Sequence, residues 1–136
     1  MNDCQLEKLI AAAILARQRA YAPYSQFAVG AALLTATDAV YTGCNVENAC
    51  FGAGLCAERC AGAAAIAGGD RDWVAVAVAL AGGATPCGIC RQFLSEFARD
   101  LTVITVDAEH PQRPHRIFRL PELYPHGYSS ESLGSP

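Results

Sequence analysis

Three cysteines stand in two short segments whose spacing suits a zinc ion. Cys87 and Cys90 form a Cys-x-x-Cys pair, and Cys56 opens the segment Cys-Ala-Glu-Arg. Three protein ligands leave one coordination position of a zinc ion for water, whereas structural sites are usually closed by four. Glu58 follows Cys56 by two residues and can act as a base on such a water. The pattern therefore indicates a catalytic zinc site with Glu58 as its acid–base group.

Cys60 leaves a second interpretation open. It follows Cys56 by one helical turn, and its thiolate would close a four-cysteine structural zinc site. Glu58 would then be only a helix-start acid that interacts favourably with the helix dipole. Structural sites normally take their ligands from short Cys-x₂₋₄-Cys knuckles rather than from an alanine-rich helix. This difference favours Cys60 as a small core residue.

A zinc ion with three thiolates carries one net negative charge, which weakens its pull on a bound water. Arg59 can offset this charge by hydrogen bonding to a ligand sulfur, although an isolated arginine is more often part of a surface salt bridge. Cys56 and Cys87 both stand near the start of a predicted helix, and helix N-termini favour thiolates. Within one helix, Glu58 would project about 200° away from Cys56, so it reaches the water only if the first turn is distorted.

The hydrophobic periodicity predicts the elements that must position these residues. Apolar spacing indicates an amphipathic helix over 3–20, and Gly68-Gly69 ends a second helix that begins at Cys56. A strand, helix and strand in succession after Gly69 indicate right-handed parallel crossovers. The remaining predicted elements are a hairpin of strands 27–35 and 40–46, a strand over 73–80, a helix over 87–98, a strand over 102–106 and a short strand over 116–120.

Length and composition limit the class of protein. A chain of 136 residues is expected to form one domain, with a polar tail from about 129. The net charge is −3, and the basic residues are scattered except for an arginine run at 113, 116 and 119. A basic groove for nucleic acid is therefore not indicated. The longest apolar stretch, 73–81, is far short of a membrane span, and the N-terminus reads as a mature cytosolic start. The seven cysteines suit metal ligation and reduced thiols, which predicts a cytoplasmic location.

A second group of residues suits recognition of a small molecule. Asn45 and Glu47 stand at i and i+2 near a strand end and share one face, where an amide and an acceptor would suit sugar hydroxyls. Alternatively, Asn45 and Glu47 are solvent-exposed residues at the end of a strand, with no role in binding. Phe27 can offer a stacking face to a ring or pack in the core.

Four motifs, in this order along the chain, resemble the small homotetrameric cytidine deaminases. They are Tyr24-Ser25-x-Phe27-x-Val29-Gly30-Ala31-Ala32, Asn45-Val46-Glu47-Asn48, Cys56-Ala57-Glu58-Arg59 and Pro86-Cys87-Gly88-x-Cys90-Arg91-Gln92. The resemblance implies a three-layer α/β/α fold with a five-stranded mixed sheet. It also implies one zinc ion per subunit and a homotetramer whose sites include residues of neighbouring chains.

The resemblance also implies a role for each matching residue. Cys56, Cys87 and Cys90 would bind zinc, and Glu58 would carry a proton from the bound water to the pyrimidine N3. Asn45 and Glu47 would hold ribose hydroxyls. Phe27 would contact the base, and the backbone of Ala57 would lie against the pyrimidine.

Two positions complicate the match. The family often has Tyr where Phe51 stands, so a hydrogen bond from that hydroxyl is lost here. The segment 122–128 resembles a family pattern that ends in Phe, which suggests that Tyr128 stacks in the site of a neighbouring chain.

The leading hypothesis is hydrolytic deamination of cytidine and 2′-deoxycytidine in pyrimidine salvage. A deaminase of a cytosine-containing antibiotic such as blasticidin S is the nearest alternative, because it has a similar zinc motif. A non-enzymatic module with zinc closed by Cys60 is the alternative from another class.

Overall fold

Five strands form one mixed sheet in the computed structural model, which describes residues 1–134. They are β1 (Gly30–Thr35), β2 (Val40–Cys44), β3 (Trp73–Leu80), β4 (Thr102–Asp107) and β5 (Arg116–Arg119). The order across the sheet is β2-β1-β3-β4-β5, and only β3 and β4 run parallel as neighbours. This confirms the predicted mixed sheet of five strands. The last two residues of the predicted polar tail, 135–136, lie outside the described residues.

Helices cover both faces of the sheet. They are α1 (Asp3–Arg17), α2 (Ala57–Ala67), α3 (Gly88–Phe97) and the single turn α4 (Leu120–Leu123). Asn2 caps α1 through a reciprocal pair of hydrogen bonds with Gln5. Short 3₁₀ turns lie at Phe51–Ala53, Ala81–Gly83 and Ser130–Leu133. Within residues 1–134, no helix is both long enough and apolar enough to cross a membrane.

Alternate residues of β3 explain the three layers. Val76 and Val78 pack in one hydrophobic cluster with residues of α2 and α3, whereas Ala75, Ala77 and Ala79 pack in a second cluster with α1. A strand that is buried on both faces needs apolar residues at every position, which is why the run has no polar alternation. The arrangement is the predicted α/β/α sandwich.

The topology brings the starts of α2 and α3 to one edge of the sheet. β2 and β3 are each antiparallel to β1, so they run in the same direction. α2 follows β2 and α3 follows β3, and the segments that lead into both helices therefore leave from carboxyl ends at the same edge. Parallel strands characteristically place functional loops at this edge.

The first predicted strand is too long at its N-terminus. It begins at Gly30 rather than at Phe27, because the backbone of Phe27 hydrogen-bonds to the side chains of Ser25 and Asn45 instead of to a neighbouring strand. The first helix ends at Arg17 rather than at residue 20, and β2 ends at Cys44 rather than at residue 46. The predicted turn after residue 120 contains the one-turn helix α4.

Candidate metal centre

The three predicted zinc ligands lie together. The Sγ atoms of Cys56, Cys87 and Cys90 are within 4.8 Å of one another, and those of Cys56 and Cys87 are 3.7 Å apart. Two sulfurs that each lie 2.3 Å from a tetrahedral zinc ion are about 3.8 Å apart, so the spacing fits this metal. Among residues 1–134, this is the only cluster of three or more potential metal ligands.

Helix caps produce this spacing. Cys56 is the N-cap of α2 and Cys87 is the N-cap of α3, both with extended backbone, while Cys90 is the third residue of α3. The side chain of an N-cap residue points towards the third helical position, so Cys87 and Cys90 meet naturally. If Cys56 were within the helix, Glu58 would project about 200° away from it, but the backbone at Cys56 is extended. Glu58 reaches the site without a distorted first turn, since Cys56 is outside the regular helix.

The pKa values of Cys56 and Cys90 are shifted in opposite directions. Hydrogen bonding from Cys90 lowers the pKa of Cys56 to about 5, and Arg59 adds to this effect. The same interaction, together with burial, raises the pKa of Cys90. Nη2 of Arg59 lies 3.7 Å from Sγ of Cys56 and 3.4 Å from the carbonyl oxygen of Gly54. Arg59 therefore contacts the sulfur of Cys56, one of the three predicted ligands.

Cys60 is not part of this cluster in the described chain. Its Cβ lies in the tight contact between α2 and β2, where a Cβ added at Gly43 would be 2.8 Å away. Burial also raises the pKa of the Cys60 thiol. This environment fits a small core residue.

Glu58 is the buried acid of the site. Only 4% of its surface is exposed, although most carboxylates of folded proteins face water. Burial is the main cause that raises its pKa, and the negative charge of Cys56 adds to it. A raised pKa suits a carboxyl group that accepts and then returns a proton during a reaction.

A cavity of about 460 Å³ opens above these groups. Its walls include nearly all the residues predicted from the sequence, namely Phe27, Asn45, Glu47, Phe51, Cys56, Ala57, Glu58, Arg59 and Cys87. Cys90 is fully buried beneath the cavity, and Tyr128 does not line it. The residues around the mouth are largely apolar, as in sites that hold a flat ring.

Side-chain hydrogen bonds hold Phe27 at the cavity wall. The Phe27 amide donates to Oγ of Ser25 at 3.0 Å, and its carbonyl accepts from Nδ2 of Asn45 at 2.7 Å. Oδ1 of Asn45 also accepts from the amide of Val29 at 2.9 Å. With 43% of its surface exposed, Phe27 presents its ring to the cavity instead of packing in the core.

Glu47 holds the start of the same loop. Its Oε1 accepts from the amides of Tyr24 and Ser25, each at 3.0 Å, and its Oε2 accepts from Oγ of Ser25. The hydroxyl and amide of Ser25, with the Tyr24 amide, hold the pKa of Glu47 below its usual range. Asn45 and Glu47 therefore shape the loop in addition to facing the cavity.

Phe51 and Tyr128 are the two most exposed of the predicted binding residues. Phe51 lies at the cavity rim with 81% of its surface exposed and makes an edge-to-face contact with Tyr24. Tyr128 is 55% exposed, and its carbonyl accepts from Nε2 of Gln92. A role for Tyr128 in a neighbouring chain stays a prediction.

Sequence reasoning gave no role to three residues that organise the site. Ser25 links Glu47 to Phe27, Thr85 lines the cavity beside Cys87, and Arg91 holds the segment that leads into Cys87. Ser25 and Arg91 stand inside the quoted motifs, which was the available signal. Their contacts join residues that are remote in sequence or depend on a local turn, so spacing alone did not reveal them.

One family model matches most of the chain. The model described as "Cytidine and deoxycytidylate deaminase zinc-binding region" matches residues 3–106. This range contains the three clustered cysteines and Glu58.

Individual relatives match along nearly the whole chain. A protein of Sporosarcina psychrophila named cytidine deaminase is 40% identical over 135 residues, covering 94% of this chain and 94% of its own length. A probable cytidine deaminase of Dictyostelium discoideum is 41% identical, covering 98% and 90%. The crystal structure of cytidine deaminase from Burkholderia pseudomallei superimposes with a TM-score of 0.85 at 41% identity, covering 94% and 100%.

Proposed function

This chain belongs to the zinc-dependent cytidine deaminase family, and from that premise we propose how its own residues convert cytidine and 2′-deoxycytidine to the uracil nucleosides and ammonia. The observation that carries the proposal is the buried carboxyl group of Glu58 beside the three clustered thiols. Cys56, Cys87 and Cys90 would hold one zinc ion. When bound, zinc supplies Lewis-acid activation of water at neutral pH.

Glu58 moves protons between the attacking water and the pyrimidine. It accepts a proton from the water and delivers it to N3, which makes C4 more electrophilic. The hydroxide left by this transfer adds to C4. Glu58 then takes the proton of the new C4 hydroxyl group and passes it to the exocyclic amino group, so the C4 carbonyl forms as the C4–N bond breaks and ammonia leaves. The buried position keeps the pKa of Glu58 raised, so the same carboxyl group can act as base and then as acid.

The walls of the cavity would hold the base. The ring of Phe27 stacks on one side of the pyrimidine, and the backbone of Ala57 lies against its edge. Arg59, in contact with Cys56, offsets the extra negative charge of three thiolates.

The hydrogen bonds already made by Asn45 and Glu47 limit what they offer to the sugar. A carboxylate has about four lone-pair sites, and three on Glu47 are used by Tyr24 and Ser25. Asn45 keeps one N–H donor and one lone pair after binding Phe27 and Val29. Together they suit one hydroxyl that donates to Glu47 and accepts from Asn45. Because one hydroxyl is enough, we propose that both cytidine and 2′-deoxycytidine are substrates.

The cavity suits a nucleoside better than a nucleotide. Its only basic lining residue among those described is Arg59, which faces the Cys56 sulfur, whereas Glu47 and Glu58 are acidic. A phosphate would thus find no free cation there. Nothing in the site favours the antibiotic substrate, and the relatives are named cytidine deaminases.

We further propose that the whole chain acts as one catalytic domain within a homotetramer, in the cytoplasm, in pyrimidine salvage. Exposed apolar side chains at the cavity mouth, including Phe51 and Leu55, would be covered by a neighbouring chain. All seven cysteines are free thiols, which suits a reducing compartment.

Loss of cytidine ultraviolet absorbance tests the proposal, with purified protein of measured zinc content. We expect the wild type to deaminate both nucleosides. Glu58→Gln should keep its zinc and lose roughly 10²–10⁴-fold in kcat, because the acid–base group is gone. Cys60→Ala is the matched control and should retain both zinc and activity, since Cys60 lies outside the cluster.

Two results would contradict this assignment. A fully zinc-loaded wild type that turns over neither nucleoside would exclude the nucleoside reaction. Loss of zinc from Cys60→Ala would instead support a closed structural site, in which Glu58 has no catalytic task.

A further inference from the structure

Arg91 uses its guanidinium group to join two separate segments of the chain. Nε donates to the carbonyl oxygen of Pro86 at 2.7 Å, and Nη2 donates to Oγ1 of Thr85 at 2.9 Å. Nη1 donates to the carbonyl oxygen of Leu123 at 2.6 Å. All three bonds are partly buried, and each nitrogen has its own acceptor.

The first segment leads directly into Cys87. The Pro86 carbonyl belongs to the peptide bond that precedes Cys87, so its orientation sets the direction of the Cys87 backbone. Among the residues the structure describes, Thr85 and Pro86 make no backbone–backbone hydrogen bond. Cys87 itself is exposed and its side chain caps no backbone amide. Arg91 is therefore the main polar anchor of this approach to the metal ligand.

The second segment is the chain from 123 to 128. Leu123 is the last residue of α4, and its carbonyl is bound by Arg91. The neighbouring Gln92 accepts from the hydroxyl of Tyr124 through Oε1 and donates to the carbonyl of Tyr128 through Nε2. Two successive residues of α3, next to Cys90, thus hold this C-terminal segment at three points.

We propose that Arg91 is a positioning residue that fixes Cys87 for zinc and ties the C-terminal segment 123–128 to the metal centre. The planar guanidinium meets three acceptors in fixed directions, which a lysine ammonium does not reproduce. Loss of the guanidinium group removes the hydrogen bonds to the Pro86 carbonyl and to the Leu123 carbonyl at the same time. Zinc retention and the order of segment 123–128 are therefore coupled.

Three readouts on the full-length zinc protein test this inference. The first is the rate of zinc release to a chromogenic chelator, and the second is the thiolate-to-metal absorption of the cobalt(II)-substituted protein. The third is amide hydrogen exchange in peptides that cover 120–128. The variants are Arg91→Gln and Arg91→Lys.

Two matched controls separate the parts of the inference. Arg116→Gln removes a hydrogen bond of the same kind, from the Arg116 guanidinium group to the Gly83 carbonyl oxygen. Gly83 lies at the other end of the segment that connects β3 to α3. Gln92→Ala removes the contacts to Tyr124 and Tyr128 but none to the approach to Cys87.

We expect Arg91→Gln to release zinc roughly 10–100-fold faster, as for other residues that orient metal ligands, to shift the cobalt spectrum and to speed exchange in 120–128. Arg91→Lys should restore little of this, and Arg116→Gln should leave all three readouts unchanged. Gln92→Ala should speed exchange alone. If Arg91→Gln does not fold, Thr85→Val, which removes one of the three acceptors, is expected to speed zinc release more modestly.

The inference would be overturned if the Arg91 variants kept the zinc-release rate and the cobalt spectrum of the wild type. If Thr85→Val has to replace Arg91→Gln, the same result for Thr85→Val would overturn it. Unchanged exchange in 120–128 would overturn the coupling. The inference rests on Cys87 as a zinc ligand and not on turnover, so it can fail while cytidine deamination stands. Conversely, if the protein did not deaminate cytidine, the zinc-release rate, the cobalt spectrum and the amide exchange would still test the role of Arg91.

Discussion

Replacing Ser25 with alanine should impair substrate binding although Ser25 is assigned no contact with a reacting atom. Oγ of Ser25 donates to Glu47 and accepts from the amide of Phe27. Removal of one oxygen atom therefore breaks both the link that places the Glu47 carboxylate and the link that holds the Phe27 backbone. Gln26, between Ser25 and Phe27, has a φ of 56°, so this turn depends on its hydrogen bonds.

The expected magnitude follows from these two bonds. A hydrogen bond contributes about 0.5–1.5 kcal/mol net, and one to a charged group about 1.5–3 kcal/mol. Both bonds of Ser25 are exposed, so water replaces part of each, and the loss is expected to be about 1–2 kcal/mol. This corresponds to roughly 5–30-fold in kcat/KM. The effect should appear mainly in KM, because Glu58 and the thiols are unchanged.

Steady-state kinetics with cytidine measure this effect. Ser95→Ala is the matched control, because Oγ of Ser95 donates to a carbonyl within α3 and does not line the cavity. It should stay within about twofold of the wild type. The reasoning would be refuted if Ser25→Ala kept a wild-type KM, or if it lowered kcat while leaving KM unchanged.

Two further predictions test the fold and the loop electrostatics. Gly30→Ala should lower the free energy of unfolding, measured by urea titration, by about 2–3 kcal/mol, because a Cβ at Gly30 would lie 2.1 Å from the Ala13 carbonyl oxygen. Gly52→Ala is the control and should change the free energy of unfolding little, since nothing lies within 4 Å of a Cβ there. Equal effects of the two substitutions would contradict this packing. Glu47 should titrate below an ordinary glutamate by carbon-13 NMR, because Ser25 and Tyr24 stabilise its carboxylate. Its contribution to stability is therefore present above the unfolded pKa and lost as pH falls through the lower folded pKa; a midpoint at or above the ordinary value would count against this network.

The apolar pattern was sufficient for the central elements. The run 73–80 was predicted as a strand and β3 has the same bounds, because burial on both faces leaves no room for a polar residue. The glycines at 68 and 69 mark the end of α2, and Gly69 has the positive φ that such an end favours. Such signals are local and strong, so one sequence reveals them.

The loop that presents Phe27 was not predictable in the same way. Its apolar residues continue the pattern of β1, yet the backbone of Phe27 binds the side chains of Asn45 and Ser25 instead of a neighbouring strand. Likewise, Arg91 binds a carbonyl 32 residues away, which no local pattern encodes. Contacts that polar side chains make across long separations leave no local pattern in a sequence.

The position of the cysteines at helix caps connects the topology to the chemistry. A cysteine within a helix would point away from Glu58 two residues later, but an N-cap cysteine keeps an extended backbone and leaves the acid in the first turn. Both caps follow strands that run in the same direction, so the two helix starts meet at one edge of the sheet. The backbone amides of both helix starts then favour thiolates at the same point. The mixed sheet therefore determines where the three cysteines converge, and the cap positions determine which acid stands beside them.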